Sequence, residues 1–252
     1  MTVSSAPAAS SSVPDISVVV PVHNEAGAVA TLVAEIAAAL DGWDHEMIFV
    51  DDASRDDTLL VLGNLKGSYP ALRVLAHRSN AGQSRAIITG VRAARGRAIG
   101  TLDGDGQNDP ADLPRLLMRL NRADAPPQLA MVGGVRTKRQ DSAAKRWASK
   151  LANAVRQFLL RDGAVDSGCG IKVVRREVFA TLPYFDHMHR YMAALVQRDG
   201  YLVEFEPVNH RPRGSGQSKY TNLGRLYAAL SDLVGVIWLR TRRRIEGAVR
   251  EL

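Results

Sequence analysis

Residues 16–40 read ISVVVPVHNEAGAVATLVAEIAAAL, and they carry the clearest pattern in the chain. The first seven are β-branched and apolar apart from one serine and one proline, which is typical of a strand buried on both faces. The alanine-rich remainder has apolar residues at helical spacing. The stretch therefore predicts a strand over residues 16–22 followed by a helix over residues 26–40.

The alternation of strand and helix continues downstream. Strand patterns occupy residues 46–50, 72–76 and 97–102, and helical patterns occupy residues 56–65 and 83–94. Buried strands that alternate with helices predict an α/β protein with a mostly parallel central sheet covered on both faces. Ligands bind such sheets at the carboxyl ends of the strands, so the residues that directly follow each strand are the candidates for a functional site.

The second half of the chain has a less regular pattern. Helices are predicted over residues 110–120, 142–160 and 186–197, and extended segments over residues 128–135, 168–174 and 201–208. Residues 211–218 are expected to form a loop, and residues 221–243 an amphipathic helix or helix pair with one apolar stripe. We expect a disordered leader over residues 1–14, a catalytic domain over residues 15–220 and a basic helical extension over residues 221–252.

Composition limits the classes of protein. The length of 252 residues and the hydrophobic fraction of 46% suit one large α/β domain. The single cysteine, Cys169, excludes an internal disulfide framework and a multi-cysteine zinc site, and it fits a reducing compartment. The first residues lack the basic start and apolar centre of a secretory signal. Polar residues interrupt the apolar run at 223–239, so no transmembrane helix is predicted.

The net charge of +7 is compatible with nucleic acid, anionic lipid or phosphorylated ligands. Much of the positive charge lies in residues 136–161 and 240–250. We favour anionic headgroups and a phosphorylated lipid over nucleic acid, because the basic segments carry no helix-turn-helix, zinc-finger or RNP-type signature. The apolar stripe of residues 221–243 is equally compatible with a peripheral membrane contact and with a homodimer interface.

Carboxylates follow three of the predicted strands, in the segments PVHNE (21–25), DDAS (51–54) and DGDGQ (103–107). Two carboxylates held close together repel each other unless a cation lies between them. Oxygen ligands suit Mg²⁺ or Mn²⁺, which keeps waters and takes further ligands from substrate phosphates. We interpret Asp103 and Asp105 as metal ligands, and solvated turn acids are the alternative.

Six motifs occur in order: PVHNE, VDDAS followed by DDT, NAGQSRA, LDGDGQNDP, SGCGIKV and HRPRGSGQSKY. They resemble glycosyltransferase family 2, and within it the dolichol-phosphate mannose synthase-like and polyprenyl-phosphate glycosyltransferases. The resemblance covers residues 16–220. It implies a GT-A fold, the Rossmann-like fold of nucleotide-diphospho-sugar transferases, together with a divalent cation, a nucleotide-sugar donor and inversion at the anomeric carbon.

The resemblance also implies roles for residues on the donor side. The first donor motif is matched by Pro21, His23 and Glu25, and the motif that holds the nucleoside is matched by Asp51 and Asp52. The family usually has an aromatic residue where this chain has His23, although an imidazole can also stack on a base.

Further matched residues concern the metal and the diphosphate. The metal motif is matched by Asp103, Asp105 and Gln107, with Asp105 also assigned to catalysis. Basic positions after the metal strand are matched by Arg136 and Arg146. The late basic loop that approaches the diphosphate is matched by Arg213 and Lys219. A leaving nucleoside diphosphate develops negative charge, which a metal and basic side chains stabilise. We therefore interpret the loop, including Arg211, as a mobile clamp rather than a solvated surface loop.

A general base is harder to assign. An alcohol acceptor requires a carboxylate to remove its proton, whereas a phosphate monoester, with a second pKa of about 6, is already mostly ionised near pH 7. Asp166 is the best candidate for a base. A carboxylate that pairs with Lys172 or caps a turn explains Asp166 equally well.

These observations predict an inverting hexosyltransferase that moves a sugar from a GDP- or UDP-linked donor to a dolichyl or undecaprenyl phosphate. We expect it to use Mg²⁺ or Mn²⁺ and to act peripherally on the cytoplasmic face of a membrane. One alternative is a family 2 transferase that acts on a soluble or polysaccharide hydroxyl. Another is a noncatalytic protein that binds nucleotides or nucleic acid. A dinucleotide-dependent dehydrogenase is disfavoured because no G-x-G-x-x-G follows the first strand.

Overall fold

The computed structural model describes residues 13–137, 156–212 and 222–243, without the side chains of residues 222–229. Within these ranges one seven-stranded sheet is formed by β1 (Ile16–Val22), β2 (His45–Asp51), β3 (Leu72–Ala76), β4 (Ala98–Thr101), β5 (Leu129–Arg136), β6 (Lys172–Arg175) and β7 (Leu202–Val208). The strand order is β3-β2-β1-β4-β6-β5-β7. Only β6 runs antiparallel to its neighbours within the described sheet, so the prediction of a mostly parallel sheet is confirmed.

The helices of the described ranges are α1 (Ala26–Ala39), α2 (Thr58–Leu65), α3 (Gln83–Ala93), α4 (Leu113–Leu120), α5 (Arg176–Thr181), α6 (Met192–Arg198) and α7 (Asn222–Thr241). Residues 156–160 form a further helical segment. Two 3₁₀ turns, Pro110–Asp112 and Met188–Arg190, precede α4 and α6. No helix of the described residues combines the length and the apolar character that a membrane span requires.

The central strands of the sheet are buried on both faces, as their apolar sequences predict, whereas the edge strands β3 and β7 are partly exposed. All seven residues of β1 are buried. Because successive side chains of a strand point to opposite faces, Val19 packs into one hydrophobic cluster while Val18 and Val20 pack into the other. Complete burial of such a side chain stabilises the fold by about 1.5–3 kcal/mol. The strand that dominates the sequence pattern is thus the strand shared by both cores.

Helix α3 lies unusually close to the sheet. A Cβ atom on Gly90 would lie only 2.4 Å from Cγ1 of Val19, so a glycine is needed at this contact. The close approach fixes α3 across β1, and it places Gln83, the first residue of α3, at the carboxyl edge of the sheet. A packing feature of the core therefore positions a residue of the candidate site.

The C-terminal helix α7 has two distinct apolar faces. On one face Leu233 and Val236 are buried in the core, and Ile237 packs against the same cluster. On the other face Leu230, Val234 and Trp238 are 54%, 67% and 56% exposed. The single apolar stripe predicted for residues 221–243 is therefore divided, because Ile237 packs against the core and Leu230, Val234 and Trp238 stay exposed.

The structure differs from the predicted elements in three further places. The predicted helix over residues 186–197 starts later and is divided. His187 has a φ of 62°, a left-handed conformation that cannot belong to a right-handed helix, and Tyr191, with a φ of −114° and a ψ of 10°, separates the 3₁₀ turn from α6. The predicted extended segment over residues 168–174 pairs in the sheet only from Lys172 onward. Helix α5 was not predicted, and its six residues are too few to show a period. The predicted helix over residues 142–160 and the loop over residues 211–218 lie mostly outside the described residues.

Candidate active site

The three acid-bearing strand ends meet at one edge of the sheet. Strand β1 lies between β2 and β4, and all three are parallel, with Val22 opposite Asp51 and Val19 opposite Thr101. The loops that follow them start with His23, Asp52 and Leu102. Because neighbouring parallel strands end together, the predicted convergence of these segments is confirmed.

Asp103 and Asp105 occupy a tight turn after β4. Asp103 Oδ1 accepts a 2.8 Å hydrogen bond from Gln83 Nε2, and its backbone N–H donates to Asn108 Oδ1 at 2.9 Å. Asp105 Oδ1 accepts the Gln107 backbone N–H at 3.1 Å. Burial, followed by repulsion from Asp105, raises the pKa of the Asp103 carboxyl group. Protein atoms enclose this carboxylate, although cavity solvent still reaches it.

This turn fits a divalent cation of the kind that the sequence predicts. A cation would relieve both the burial of Asp103 and its repulsion from Asp105. No group of three or more His, Cys, Asp or Glu side chains that could hold a metal occurs among the described residues. Two carboxylates therefore leave coordination positions for water and for substrate phosphates, as Mg²⁺ or Mn²⁺ requires. The side-chain nitrogen of Gln107 lies 3.5 Å from the carbonyl oxygen of Arg211.

A cavity of about 780 Å³ opens beside the end of β1. Its lining residues are His23, Asn24, Ala53, Ser54, Arg55, Arg78, Ser79 and Asn80. The His23 imidazole donates from Nδ1 to the Asp52 carbonyl oxygen at 2.9 Å, which fixes the ring at the cavity wall. Ala53 has a φ of 58°, a left-handed conformation that costs an alanine about 1–2 kcal/mol. Pro21 lies inside β1, and Glu25 directly precedes α1.

The two acids that end β2 have different surroundings. Asp52 accepts hydrogen bonds from His77 Nδ1 and from the Ala81 and Gly82 backbone N–H groups, at 2.7–2.9 Å. It therefore organises the loop that leads into α3. Asp51 Oδ2 accepts from the Ser54 N–H, whereas its buried Oδ1 has no hydrogen-bond partner among the described residues.

A second cavity, of about 510 Å³, lies on the other side of the loop before α3. Its charged and titratable lining groups are Asp103, Arg136, Asp166, Cys169, Lys172, His189 and Arg190. The two cavities are separated by the segment in which Ser79 and Asn80 line the first and Gln83 lines the second. The second cavity therefore combines the predicted metal ligand Asp103 with three cationic side chains.

Arg136 and Asp166 form a bidentate ion pair in the wall of this cavity. Arg136 Nε and Nη2 donate to the two Asp166 oxygens at 2.7 Å each, and this hydrogen bonding raises the pKa of Arg136. The partner of Asp166 is thus Arg136, whereas the pairing considered from the sequence was with Lys172. A carboxylate with both oxygens held by a guanidinium is poorly placed to take a proton. The role of Asp166 as a base stays a prediction that this geometry does not favour.

Two further titratable residues, Lys172 and His189, line this cavity. Lys172 is buried and donates from Nζ to the Cys169 carbonyl oxygen, and burial lowers its pKa. His189 Nδ1 lies 2.7 Å from Ser84 Oγ. Burial, with the nearby charges of Lys172 and Arg190, lowers the pKa of His189 to about 3, so its imidazole is neutral near pH 7. Lys172 lies in the SGCGIKV motif, and this motif is the sequence feature that could have identified it as a cavity residue.

The start of the late basic loop is hydrogen-bonded to the turn that carries Asp103, Asp105 and Gln107, which we call the metal turn. Asn108 and His210 form an isolated antiparallel bridge, and the Arg211 N–H donates to the Gln107 carbonyl at 2.9 Å. The Arg211 guanidinium pairs with Glu35 at 2.7–2.8 Å and with Asp109 at 2.8 Å. The interpretation of Arg211 as part of a mobile clamp is therefore wrong, because its charge is held by these two acids. Arg146, Arg213 and Lys219 lie outside the described residues.

Curated relatives share sequence over most of this chain. A dodecaprenyl-phosphate galacturonate synthase from Rhizobium johnstonii is 34% identical over 234 residues, which are 89% of this chain and 67% of the relative. An undecaprenyl-phosphate 4-deoxy-4-formamido-L-arabinose transferase from Pseudomonas syringae is 33% identical over 223 residues, 87% of this chain and 64% of the relative. The chain thus spans about two thirds of the length of these relatives.

Solved structures show the same architecture. Glucosyl-3-phosphoglycerate synthase from Mycobacterium tuberculosis, in complex with Mn²⁺, UDP and glucosyl-3-phosphoglycerate, superposes with a TM-score of 0.68 at 18% identity. The match covers 90% of this chain and 80% of that one, and it confirms the predicted GT-A fold. The family model for glycosyl transferase family 2 matches residues 17–182, more than half of the chain. The chain therefore belongs to glycosyltransferase family 2.

Proposed function

We propose that this protein is an inverting glycosyltransferase that moves a sugar from a nucleotide sugar to a polyprenyl phosphate. The observation that carries the proposal is the 510 Å³ cavity, where Asp103 of the metal turn faces Arg136, Lys172 and Arg190. A metal turn and three cations in one cavity suit a reaction between two phosphate-bearing substrates. The relatives named above, which act on dodecaprenyl and undecaprenyl phosphate, support this choice of acceptor.

The two cavities suggest how the donor would bind. The 780 Å³ cavity, which His23 lines, would hold the nucleoside. Asp51 would act from behind its wall, where its carboxylate accepts a hydrogen bond from the backbone N–H of the lining residue Ser54. The sugar would then lie in the 510 Å³ cavity. Asp103, Asp105 and Gln107 would hold Mg²⁺ or Mn²⁺, whose charge stabilises the leaving diphosphate. Lys172 and Arg190 would add positive charge in this cavity, whereas the charge of Arg136 is already paired with Asp166.

The state of Asp166 supports a phosphate acceptor over a hydroxyl acceptor. A hydroxyl group must lose a proton during transfer, so it requires a base in the cavity. A phosphate monoester is already mostly ionised near pH 7, with a second pKa of about 6. Because Arg136 holds both oxygens of Asp166, the cavity is better suited to binding an anion than to removing a proton.

A product-extraction experiment tests the proposed function. The protein is incubated with Mg²⁺ or Mn²⁺, a panel of radiolabelled UDP- and GDP-sugars, and undecaprenyl or dolichyl phosphate. We expect label from one donor to move into the organic phase only when the lipid phosphate is present. Transfer to soluble or polysaccharide hydroxyls, with no label in the lipid phase, would instead support the alternative family 2 activity.

We further propose that α7 holds the protein on an anionic membrane surface as a peripheral helix, at the cytoplasmic face. Its exposed face carries Leu230, Val234 and Trp238, and Arg240 and Arg242 follow at its C-terminal end. The Arg242 guanidinium lies 5.8 Å from the centre of the Trp238 ring. An apolar face beside arginines suits the boundary between acyl chains and anionic headgroups, where the polyprenyl acceptor resides.

Replacement of Arg242, Arg243 and Arg244 by alanine is expected to weaken binding to anionic vesicles by about a hundredfold at low salt. Each arginine near such a surface contributes about 1 kcal/mol, and salt screens this attraction. Cosedimentation with vesicles measures the effect, and high salt should weaken the unmodified protein in the same way. Arg244 lies outside the described residues.

The matched control for this triple variant removes the same charge elsewhere. Arg92, Arg95 and Arg97 are exposed and lie near the amino edge of the sheet, away from α7. Their replacement by alanine should leave vesicle binding nearly unchanged. Both triple variants should still use a short, water-soluble prenyl phosphate. If the Arg242–Arg244 variant binds vesicles normally but changes from dimer to monomer, α7 is an oligomer interface instead.

A further inference from the structure

Helix α7 carries a carboxylate on the side opposite its exposed apolar face. Successive residues of an α-helix are rotated by about 100°, so Asp232 lies about 160° from both Leu230 and Val234. Asp232 Oδ2 lies 3.1 Å from Nδ1 of His187, a residue 45 positions earlier in the chain. Next to Asp232, Leu233 is buried in the core. The inward side of α7 thus makes a polar contact as well as an apolar one.

His187 starts the 3₁₀ turn Met188–Arg190 in an unusual conformation. Its φ of 62° is left-handed, and its backbone N–H donates to the Asp186 side chain at 2.8 Å. The His187 carbonyl oxygen accepts the Arg190 N–H at 3.0 Å, which closes the turn. A residue other than glycine keeps such a conformation only where its surroundings hold it. The Asp232 carboxylate is one of the groups that hold the His187 side chain.

The turn delivers two side chains into the 510 Å³ cavity. Met188 is buried in the core, while His189 and Arg190 line the cavity. His189 contacts Ser84 of α3, and the Arg190 carbonyl oxygen accepts a 3.4 Å hydrogen bond from Arg156. The turn is therefore held on one side by α3 and on the other by His187 and α7.

We propose that Asp232 and His187 are positioning residues. The contact between Asp232 of α7 and His187 holds the 3₁₀ turn so that His189 and Arg190 are placed for acceptor binding. The inference rests on the proposed function, because it assigns the His189 and Arg190 side of the cavity to the lipid phosphate. The proposed nucleoside cavity, which His23 lines, is separate from this turn and does not depend on the contact. Loss of the contact is thus expected to affect the acceptor and to spare the donor.

Two substitutions at His187 separate the hydrogen bond from the backbone conformation. Glycine and asparagine both tolerate a left-handed φ. Asparagine also places an amide nitrogen close to the position of His187 Nδ1, so His187→Asn keeps a donor for Asp232 that His187→Gly removes. With a short, water-soluble prenyl phosphate, His187→Gly should raise the acceptor KM by about tenfold, because a small displacement of a binding group is costly. His187→Asn should remain within about threefold of the unmodified protein.

The partner substitution is Asp232→Ala, with Asp199→Ala as its matched control. Asp199 is also a partly buried acid near α7, but it pairs with Arg198 at the end of α6 and does not reach the cavity. Asp232→Ala should raise the acceptor KM as His187→Gly does, with the donor KM unchanged within about twofold. Asp199→Ala should change neither constant.

Hydrogen–deuterium exchange supplies a measurement that requires no substrate. The Arg190 and Tyr191 N–H groups are bonded within the turn, at 3.0 and 2.8 Å. Asp232→Ala and His187→Gly should speed exchange in residues 188–191, whereas His187→Asn and Asp199→Ala should not. Exchange tests the contact between Asp232 and the turn without any substrate, so it can support or contradict this contact even if polyprenyl phosphate proves not to be the acceptor.

Two outcomes would overturn the inference. The first is an unchanged acceptor KM and unchanged exchange in both Asp232→Ala and His187→Gly. The second is a parallel loss of Tm, donor KM and acceptor KM in these variants, which would show that the contact only stabilises the fold.

Discussion

Asp105→Asn is expected to lower sugar transfer by at least about 1000-fold while leaving the fold intact. Asparagine keeps an oxygen that can accept the Gln107 N–H, a bond that is 3.1 Å long with Asp105. It removes one of the two carboxylates that would hold the metal, so the diphosphate would leave without its main counter-charge. A loss of about 4 kcal/mol in transition-state stabilisation corresponds to this factor.

The measurement is the initial rate of labelled product at saturating donor, with circular dichroism and thermal unfolding as tests of folding. Asp124→Asn is a suitable control, since the Asp124 side chain is 85% exposed and lies in a surface pair with Arg122. It should retain full activity. Full activity of the unmodified protein in the presence of a strong chelator would show that the Asp103 and Asp105 turn does not act through a metal.

Arg213→Ala and Lys219→Ala are each expected to slow donor turnover by about 10- to 1000-fold. Both residues lie outside the described residues, and their assignment comes from the family resemblance. The chain enters their loop beside the metal turn, where Asn108 and His210 form a bridge and Arg211 is fastened to Glu35 and Asp109. A lost charge contact to the leaving group costs about 3–4 kcal/mol at most in such sites.

Donor consumption with and without acceptor measures this effect. Arg176→Ala, which changes an exposed arginine at the start of α5, is the control and should behave as the unmodified protein. Vesicle binding should survive in all of these variants. If Arg213→Ala and Lys219→Ala lose vesicle binding but turn over the donor normally, the loop contacts the membrane rather than the diphosphate.

Local patterns were sufficient to predict the sheet and the edge that carries the site. The sequences of β1, β2 and β3 predict strands because apolar residues recur at every position or at every second position within one short segment. The carboxyl ends of parallel strands meet at one edge of the sheet, so the sequence was sufficient to place the acids of residues 51–52 and 103–105 at that edge. The motifs added the family and the GT-A fold.

The ion pairs formed by individual charged side chains could not be predicted from the sequence. Arg211 belongs to a basic loop in sequence, yet it pairs with Glu35, which is 176 positions away. Arg136 pairs with Asp166, and Asp52 binds the loop before α3 instead of standing free beside Asp51. Each of these contacts depends on which strands and helices become neighbours, information that no local pattern contains.

The two faces of α7 show the same division between sequence and tertiary structure. Helical periodicity is a property of the segment alone, so the sequence was sufficient to predict an amphipathic helix or helix pair over residues 221–243, and one helix is found over Asn222–Thr241. Packing against the rest of the chain is what turns Val236 and Ile237 toward the core, leaves Val234 and Trp238 exposed, and brings Asp232 to His187. The rotation of a helix about its axis is set by the surface against which it packs, and that surface is assembled from distant parts of the chain.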